Sequence, residues 1–470
     1  MAGNAGMATT AVAALNPATG TSALNARLNA LPSISAPALL VPRTFAQNNT
    51  ASYSYFGTVF AVDPNIQTTR INEYNLSIQR PIGWGMVLEA RYVGSRSDDL
   101  WRVIDYNQID VRSNGFADDF NRARQNLIAT GNASTGLPLT VFPSMTSGGY
   151  LTNTTIKNYL MTGDPAEMAY YYLRNAAAGS VKFLPNAGTG VVDVLKNGSK
   201  YRYNALQIDL RKQFSKSFYL QGNFSWQKTL TDSLGTSQQL VDTILDLQNP
   251  QLEYTRADYD TARVFNFNAI YDLPFGKGRL LGRNMPEWAN KIVGGWRLSG
   301  ISRITSGTPI TIVDPRGTLN RAGRSARQTP DLQVSFDQMR ALKGRFENSN
   351  GIYFINPSAV NPATGRGAEG YGSTPFAGQV FFNVAPGKTG NMGRAVLDGP
   401  QYVNVDMALL KDIKLAETVG LQLRMDAYNV FNHTNFYAGQ IQSINSTSFG
   451  KLQGTWSPRV VQIAGRIISF

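Results

Sequence analysis

Phe218-Tyr219-Leu220-Gln221-Gly222-Asn223-Phe224-Ser225-Trp226-Gln227 sets an apolar residue or glycine at every even position and a hydrogen-bonding one at every odd position. Successive side chains of a strand point to opposite faces, so the stretch predicts a strand with one greasy and one wet face. The same alternation recurs on both sides of it. Leu206, Ile208 and Leu210 alternate with Gln207, Asp209 and Arg211, and Leu421, Leu423, Met425 and Ala427 alternate with Gln422, Arg424, Asp426 and Tyr428. Tyr74/Leu76/Ile78, Phe265/Phe267/Ala269/Tyr271 and Val403/Val405/Met407/Leu409 repeat the design. One such stripe also suits a half-buried strand of a soluble sandwich. Six of them, with Asp209, Arg211, Arg424 and Asp426 in mid-strand opposite an unbroken apolar face, suit a strand between lipid and a watery interior. The fold class expected is all-β, an antiparallel transmembrane β-barrel.

Composition points the same way. Hydrophobic residues make up 42% of the chain and mean hydropathy is -0.22, with no run of about 18 apolar residues, so a helical span is excluded. Tyr 21 and Phe 23 are enough for aromatic girdles at two interfaces. Phe218 and Trp226 lie roughly 26 Å apart along a strand, close to the height of an apolar band with its rims.

About nine strands are predicted, at 70–80, 85–96, 202–213, 216–228, 262–273, 294–306, 401–412, 418–430 and 459–470. Short links near 82, 215 and 415 alternate with long ones at 97–201, 229–261, 307–400 and 431–458, and 274–293 is an intermediate turn on the short side. Outer-membrane barrels have short periplasmic turns and long outer loops, so the long links are expected outside the cell. The domain organisation expected is an upstream loop or linker over 1–69 and a barrel portion over 70–470. The long links, rich in Gly, Asn, Ser, Thr and Pro, are expected to fold over the pore mouth or to be disordered.

Most chemistry is excluded. There is no cysteine, which removes disulfides, thiolate metal sites and thiol nucleophiles, and His433 is the single histidine. His433 is expected at a strand rim. Pro386-Gly387-Lys388-Thr389-Gly390 imitates a phosphate loop, but Phe382 stands where its first glycine would be needed. Asp258 and Asp260 could pose as a glycosidase pair with nothing else to support them. The net charge of +13 is spread along the chain instead of gathered in a stripe, which argues against nucleic acid as a partner. No enzyme activity, cofactor or metal is implied.

Tyr74-Asn75-Leu76-Ser77-Ile78-Gln79-Arg80, Tyr92-Val93-Gly94-Ser95-Arg96 and Tyr271-Asp272-Leu273-Pro274-Phe275-Gly276-Lys277-Gly278-Arg279 are followed by Gly295-Trp296-Arg297-Leu298-Ser299-Gly300 and Ser306-Gly307-Thr308-Pro309. Then come Gly390-Asn391-Met392-Gly393-Arg394, Gly399-Pro400, Arg424-Met425-Asp426-Ala427-Tyr428-Asn429-Val430-Phe431-Asn432-His433-Thr434-Asn435-Phe436 and Ser457-Pro458-Arg459. In order and spacing, roughly over 70–470, this set resembles the barrel of the Oar-like TonB-dependent receptors of Gram-negative outer membranes. The resemblance implies the carboxy-terminal part of a 22-strand plugged barrel, forming pore wall and loop surface for uptake or export of an unidentified substrate. It implies outer-membrane lipid, the barrel-assembly machinery and a TonB complex as partners, the last acting through a plug domain that this chain lacks. Residues 1–6 carry neither the charge nor the apolar core of a signal peptide, and the chain reads as part of a longer protein.

Within that reading Gln207, Asp209, Arg211, Asn223, Gln422, Arg424 and Asp426 line the lumen, where they pair across strands or meet substrate. Leu206, Ile208, Leu210, Leu421, Leu423 and Met425 face lipid, and Phe470 is the terminus read during barrel assembly. Phe470 falls on the face opposite Val461, Ile463, Gly465 and Ile467, so a bulge or frayed end near Ile468 is expected. Alternatives are a passive porin-like channel, which requires the strands to close on themselves, and a secreted carbohydrate-binding β-protein, which would be soluble without detergent.

Overall fold

The computed structural model describes residues 57–215, 217–233, 244–320, 328–439 and 441–469. An eleven-stranded sheet dominates them. Its strands are β1 (Thr58–Val62), β2 (Asn72–Gly83), β3 (Met86–Asp105), β4 (Val191–Ser215), β5 (Phe218–Thr231), β6 (Thr255–Arg256), β7 (Arg263–Asp272), β8 (Trp296–Thr305), β9 (Tyr402–Lys414), β10 (Val419–Tyr428) and β11 (Val460–Ser469). The main path runs β2-β3-β4-β5-β7-β8-β9-β10-β11, every step antiparallel. The count exceeds the nine expected because two short strands join from the side. β1 runs parallel to Val191–Leu195 of β4, where β5 has already ended, and β6 pairs with the far end of β5.

Antiparallel pairing sorts the connections. Met86 pairs with Gly83 and with Lys212, and Phe218 with Ser215, so the links at 84–85, 216–217, 273–295 and 415–418 share one rim. The links that follow β3, β5, β8 and β10 leave from the other. β3 and β4 have 20 and 25 residues. A strand crossing hydrocarbon needs about 9–11, so their distal halves extend past it as a ribbon. Pairing within the ribbon shifts between Ser97 and Trp101. The ribbon lacks the apolar alternation, which is why the sequence expectation stops these strands near 96 and 202.

Among the described residues the sheet is open, as expected of a barrel portion and not of strands that close on themselves. β2 and β11 are its two edges, and neither pairs with the other. All twelve residues of β2 are exposed, and in β11 only one of ten is even partly covered, because no strand flanks them on the outer side. The bulge expected near Ile468 is absent. The β10–β11 ladder runs without a shift from Tyr428–Val460 to Val419–Ser469, each residue finding its partner. Phe470 and residues 1–56 lie outside the described residues.

An all-β chain was expected, and here too the structure differs. Residues 106–190 fold around α1 (Phe116–Thr130), α2 (Thr154–Thr162) and α3 (Pro165–Arg174). Phe116 stands at the centre of their core, 4.8 Å from the Phe183 ring and 5.4 Å from that of Phe142, with Phe120 and Tyr172 around it. The Asp119 carboxylate, fully buried, ties the lobe together by accepting the N–H groups of Thr140, Val141 and Phe142 and pairing with Arg122 at 2.6 Å. A second lobe is built jointly by the links after β8 and β10. Its strand Pro309–Val313 pairs antiparallel with Leu397–Asp398 and parallel with Ile441–Ser443, over a core of Ile310, Ile312, Met339, Phe354, Phe381 and Phe449. Two further helices among the described residues are α4 (Glu287–Val293) on the short-turn rim and α5 (Phe336–Ala341) in the second lobe; Ser335 and Gln338 close a capping box on α5. Among the described residues no helix is long and apolar enough to cross a membrane.

Candidate functional site

Directly paired residues share a face, so the ladders show what each side of the sheet carries. One row runs Glu89–Asp209–Asn223–Asn266–Arg303–Asn404. Gln207 pairs with Arg91 and Ser225, Arg211 with Gln221, Arg424 with Leu410 and Ala464, Asp426 with Ala408 and Gln462, and Gln422 with Asp412 and Arg466. Followed across the sheet, Gln207, Asp209, Arg211, Asn223, Gln422, Arg424 and Asp426 all fall on this one charged face. Their neighbours hold several of them. Arg424 makes a two-pronged contact with Asp426 at 2.7 to 2.9 Å, Gln422 donates to Asp412 and Gln221 donates to Asp209. Arg297 pairs with Asp272 at 2.7 Å on the same side. The face also carries Ile301, 63% exposed between Asn268 and Asp406, which the alternation did not single out.

The other face is predominantly apolar, with Ser302 between Phe267 and Val405 and Lys411 at its rim as polar members. Ile208–Phe224–Phe265–Ile304–Val403 is one row and Leu409–Met425–Ile463 another. Leu206, Ile208, Leu210, Leu421, Leu423 and Met425 all lie on it. The Tyr74 ring covers Gly94, where any Cβ would collide with it, so this face stays closed over a residue with no side chain of its own.

The motifs that punctuate the sequence meet where the lobes leave the sheet. Gly399 donates its N–H to the Thr308 carbonyl, and Gly307 sits so close to the Gly399 carbonyl that a Cβ there would overlap it. Gly390 is equally pressed by the Thr329 carbonyl. Asn391 bonds both the N–H and the carbonyl of Leu332, while Arg394 pairs with buried Glu253 at 3.3 Å. Past β10, Asn435 accepts the Val403 N–H and returns a bond to its carbonyl, and Asp406 accepts the Asn429 N–H. His433 is exposed at this corner, with its N–H held by Asn429 and its Nδ1 3.2 Å from the Asn435 Oδ1. Asp260 is buried, accepting the Thr229 N–H and pairing with Arg256, which reaches on to Asp398. These residues fasten loops to strand ends.

Among the described residues, three clefts of several hundred Å³ lie among these parts. One of about 490 Å³ is lined by Arg303, Thr305 and Tyr402 from the charged face and roofed by Phe436, Tyr437 and Trp456. A second of about 640 Å³ lies over the outer ends of Phe224, Phe265, Ile304 and Val403, under Lys343 and Arg345. The third, about 550 Å³, lies between the lobes. There Arg124 and Arg316 stack on the Tyr371 ring at 4.6 and 5.1 Å. Arg316 is neutralised by Asp314, and Gly317 donates to Asp164 at 2.9 Å. Burial holds the Arg124 guanidinium below its usual range, with Arg316 adding repulsion, and burial raises the Asp164 carboxyl against its hydrogen bonds and the Arg316 charge. Among the described residues no group of three or more His, Cys, Asp or Glu is placed to hold a metal ion. The arrangement suits contact, ion pairing and passage of a polar solute.

The family profile described as "Outer membrane beta barrel domain" matches residues 1–462. No curated protein matches the chain. Among solved structures, it resembles the outer membrane transporter YddB from Escherichia coli at 8% identity and a TM-score of 0.37, covering 88% of this chain and 34% of that one. It also resembles the ferric-catecholate import receptor Fiu from K12 E. coli (8%, TM-score 0.32, 87% and 29%) and the pyoverdine receptor FpvA from Pseudomonas aeruginosa PAO1 (7%, TM-score 0.32, 90% and 32%). The chain thus spans about a third of the length of these proteins.

Proposed function

The chain belongs to the outer membrane beta barrel domain family and resides in the outer membrane, and on that premise we propose that it forms one sector of the wall of a TonB-dependent transporter, together with part of its outer loop surface. The observation that carries this reading is the open sheet: one face predominantly apolar across its width, the other charged, and two edges exposed along their full length. An unpaired backbone group in hydrocarbon costs several kcal/mol, so two strand edges of ten and twelve residues require partners beyond this sheet. A wider barrel, of the 22-strand plugged class, supplies them.

In this reading Leu206, Ile208, Leu210, Leu421, Leu423 and Met425 meet lipid, and Gln207, Asp209, Arg211, Asn223, Gln422, Arg424 and Asp426 line the lumen. The ordered motifs from Tyr74 to Arg459 support the Oar-like kind. The long links face the cell exterior, and the cleft of Arg303, Tyr402 and Trp456 opens at the outer mouth of the lumen. The wall binds and passes a solute without changing it, and energy comes from a TonB complex acting on a plug.

The chain produced alone should give no heat-modifiable, protease-resistant barrel. Stable migration as a folded species in detergent would favour the porin-like alternative, in which β2 and β11 close on each other. Solute uptake that survives collapse of the proton-motive force would remove the TonB-dependent reading while leaving the wall in place.

A further inference from the structure

The link between β7 and β8, residues 273–295, is the longest on the short-turn rim and carries α4. Trp288 and Ile292, one helical turn apart at i and i+4, project from one side of that helix and are 70% and 63% exposed. Ala289 and Asn290 turn the other way, and Asn290 accepts the N–H of Lys277 to hold the helix on its own loop. Leu280 on the same link and Trp84 on the β2–β3 turn of the same rim are 84% and 86% exposed. Single exposed apolar residues need no account, but this group shares one rim of the sheet.

The side of the sheet on which α4 sits is shown by what caps it. Trp296 and Lys411 are paired across β8 and β9, in phase with Leu298 and Leu409, and so belong to the apolar face. Trp296 Nε1 donates to the Ile292 carbonyl at 3.1 Å, and Lys411 Nζ, 5.0 Å from the Trp296 ring, donates to the carbonyls of Ile292 and Gly294. A cation on the last carbonyls complements the negative end of the helix. The carboxy-terminal end of α4 is therefore pinned to the apolar face at its rim, with Trp288 and Ile292 exposed on the same helix. The link also holds Lys277, Arg279, Arg283 and Lys291 against a single carboxylate, Glu287. Aromatic and aliphatic groups on one side with a ring of cations is the pattern of a helix lying in a membrane interface.

We propose that α4 and its flanking turn are a lateral anchor that lies in the phospholipid headgroup layer at the short-turn rim, with Trp288 and Ile292 inserted and the Lys and Arg residues on the phosphates. The inference rests on the reading of the apolar face as the lipid face. The lack of native cysteine allows a separate probe of each.

Trp288→Cys, Leu423→Cys and Ile128→Cys, each labelled with a small fluorophore in carbonate-washed outer membranes, are challenged with doxyl-labelled phospholipid and with iodide. Ile128 is an exposed residue of α1 in the helical lobe and serves as the solvent reference. Loss of fluorescence to the doxyl lipid at both 288 and 423, with Ile128→Cys lost only to iodide, is the result expected. Quenching by lipid at 423 but only by iodide at 288 overturns the anchor and leaves the lipid face standing. Protection of 288 from both quenchers, as a periplasmic protein partner would cause, overturns it as well. Failure of lipid quenching at 423 removes the face on which the inference rests. Ile292→Cys, on the same side of the helix, repeats the measurement should Trp288→Cys not accumulate in the membrane.

Discussion

The two lobes and the sheet they stand on are held together by different physics. In the helical lobe Phe116, Phe120, Phe142 and Phe183 are all within 1% of complete burial, and aromatic rings meet edge to face as they do in a soluble protein. In the sheet several apolar side chains are largely exposed, Ile78, Ile463 and Ile467 among them, and many of the buried apolar residues are small ones such as Ala205, Ala408 and Ala427. A single-layer sheet has no second layer to bury its faces against; its apolar side needs lipid and its charged side needs water or a plug. One chain thus contains two lobes that carry their own core and a wall that has none, whose apolar side meets the membrane in the reading proposed above.

Five substitutions test that contrast. Phe116→Ala should have the largest effect, about 3–5 kcal/mol for a buried aromatic truncated in a packed core. Hydrogen exchange or limited proteolysis should show 106–190 opening while the wall stays inserted. Equal loss of membrane insertion would mean that lobe and wall do not fold by separate means. Next comes Leu423→Arg, which on a lipid-facing wall costs about 2–4 kcal/mol near the bilayer midplane, whereas Gln422→Arg one residue away should cost little. Carbonate-resistant assembly in the outer membrane, measured in the longer protein of which this sector is proposed to be part, would break the assignment of faces if the two variants behaved alike.

Asp119→Asn should come third, at about 1.5–3 kcal/mol, the worth of hydrogen bonds to a charged group. Burial alone would raise this carboxyl, but the N–H groups of Phe142, Thr140 and Val141 with Arg122 hold it below the usual carboxylate range. Its folded pKa is depressed, so its contribution is present above about pH 4 and is lost as pH falls through the folded value. Asp164 has the opposite sign. Burial raises its pKa, so its ionised form burdens the folded state at neutral pH and the burden lifts on acidification through the raised value. The protection factor of the Phe142 amide, its exchange corrected for the intrinsic pH dependence, should fall on acidification in the native lobe and lose that dependence in Asp119→Asn. The smallest effect belongs to Arg424→Gln on the wall. Arg424 is 49% exposed, and a pair of that kind is worth about 0–1 kcal/mol. A loss comparable with that of Phe116→Ala would show that the charged face carries a core after all.

How far each part could be read from residues alone follows from the range of the interactions that make it. A period of two is a local property, so each of the nine long strands and the side to which Gln207, Asp209 or Arg424 belongs could be written down from neighbours in sequence. The distal ribbon of β3 and β4 could not. Residues such as Asp98, Asp99 and Arg102 interrupt the alternation there, and Asn197 instead bonds the carbonyls of Gln67 and Asp99 from across the ladder. The motif residues were visible as punctuation, yet their work was not, because Gly307 needs no side chain only when Gly399 arrives 92 positions later.

What the sequence determined by itself, then, is a sheet with one apolar and one charged face and turns of unequal length on its two rims. It left the loops undecided between folded and disordered. Tertiary structure decided that long described parts of them are folded, that two of them share one core, where the Phe354 N–H meets the Gly450 carbonyl and Gly367 meets Ile444, and that among the described residues the sheet ends at two open edges. Alternation is imposed by the backbone geometry of each strand, residue by residue. Core sharing and edge pairing depend on which distant segments meet, and nothing in the local pattern of either segment encodes the other.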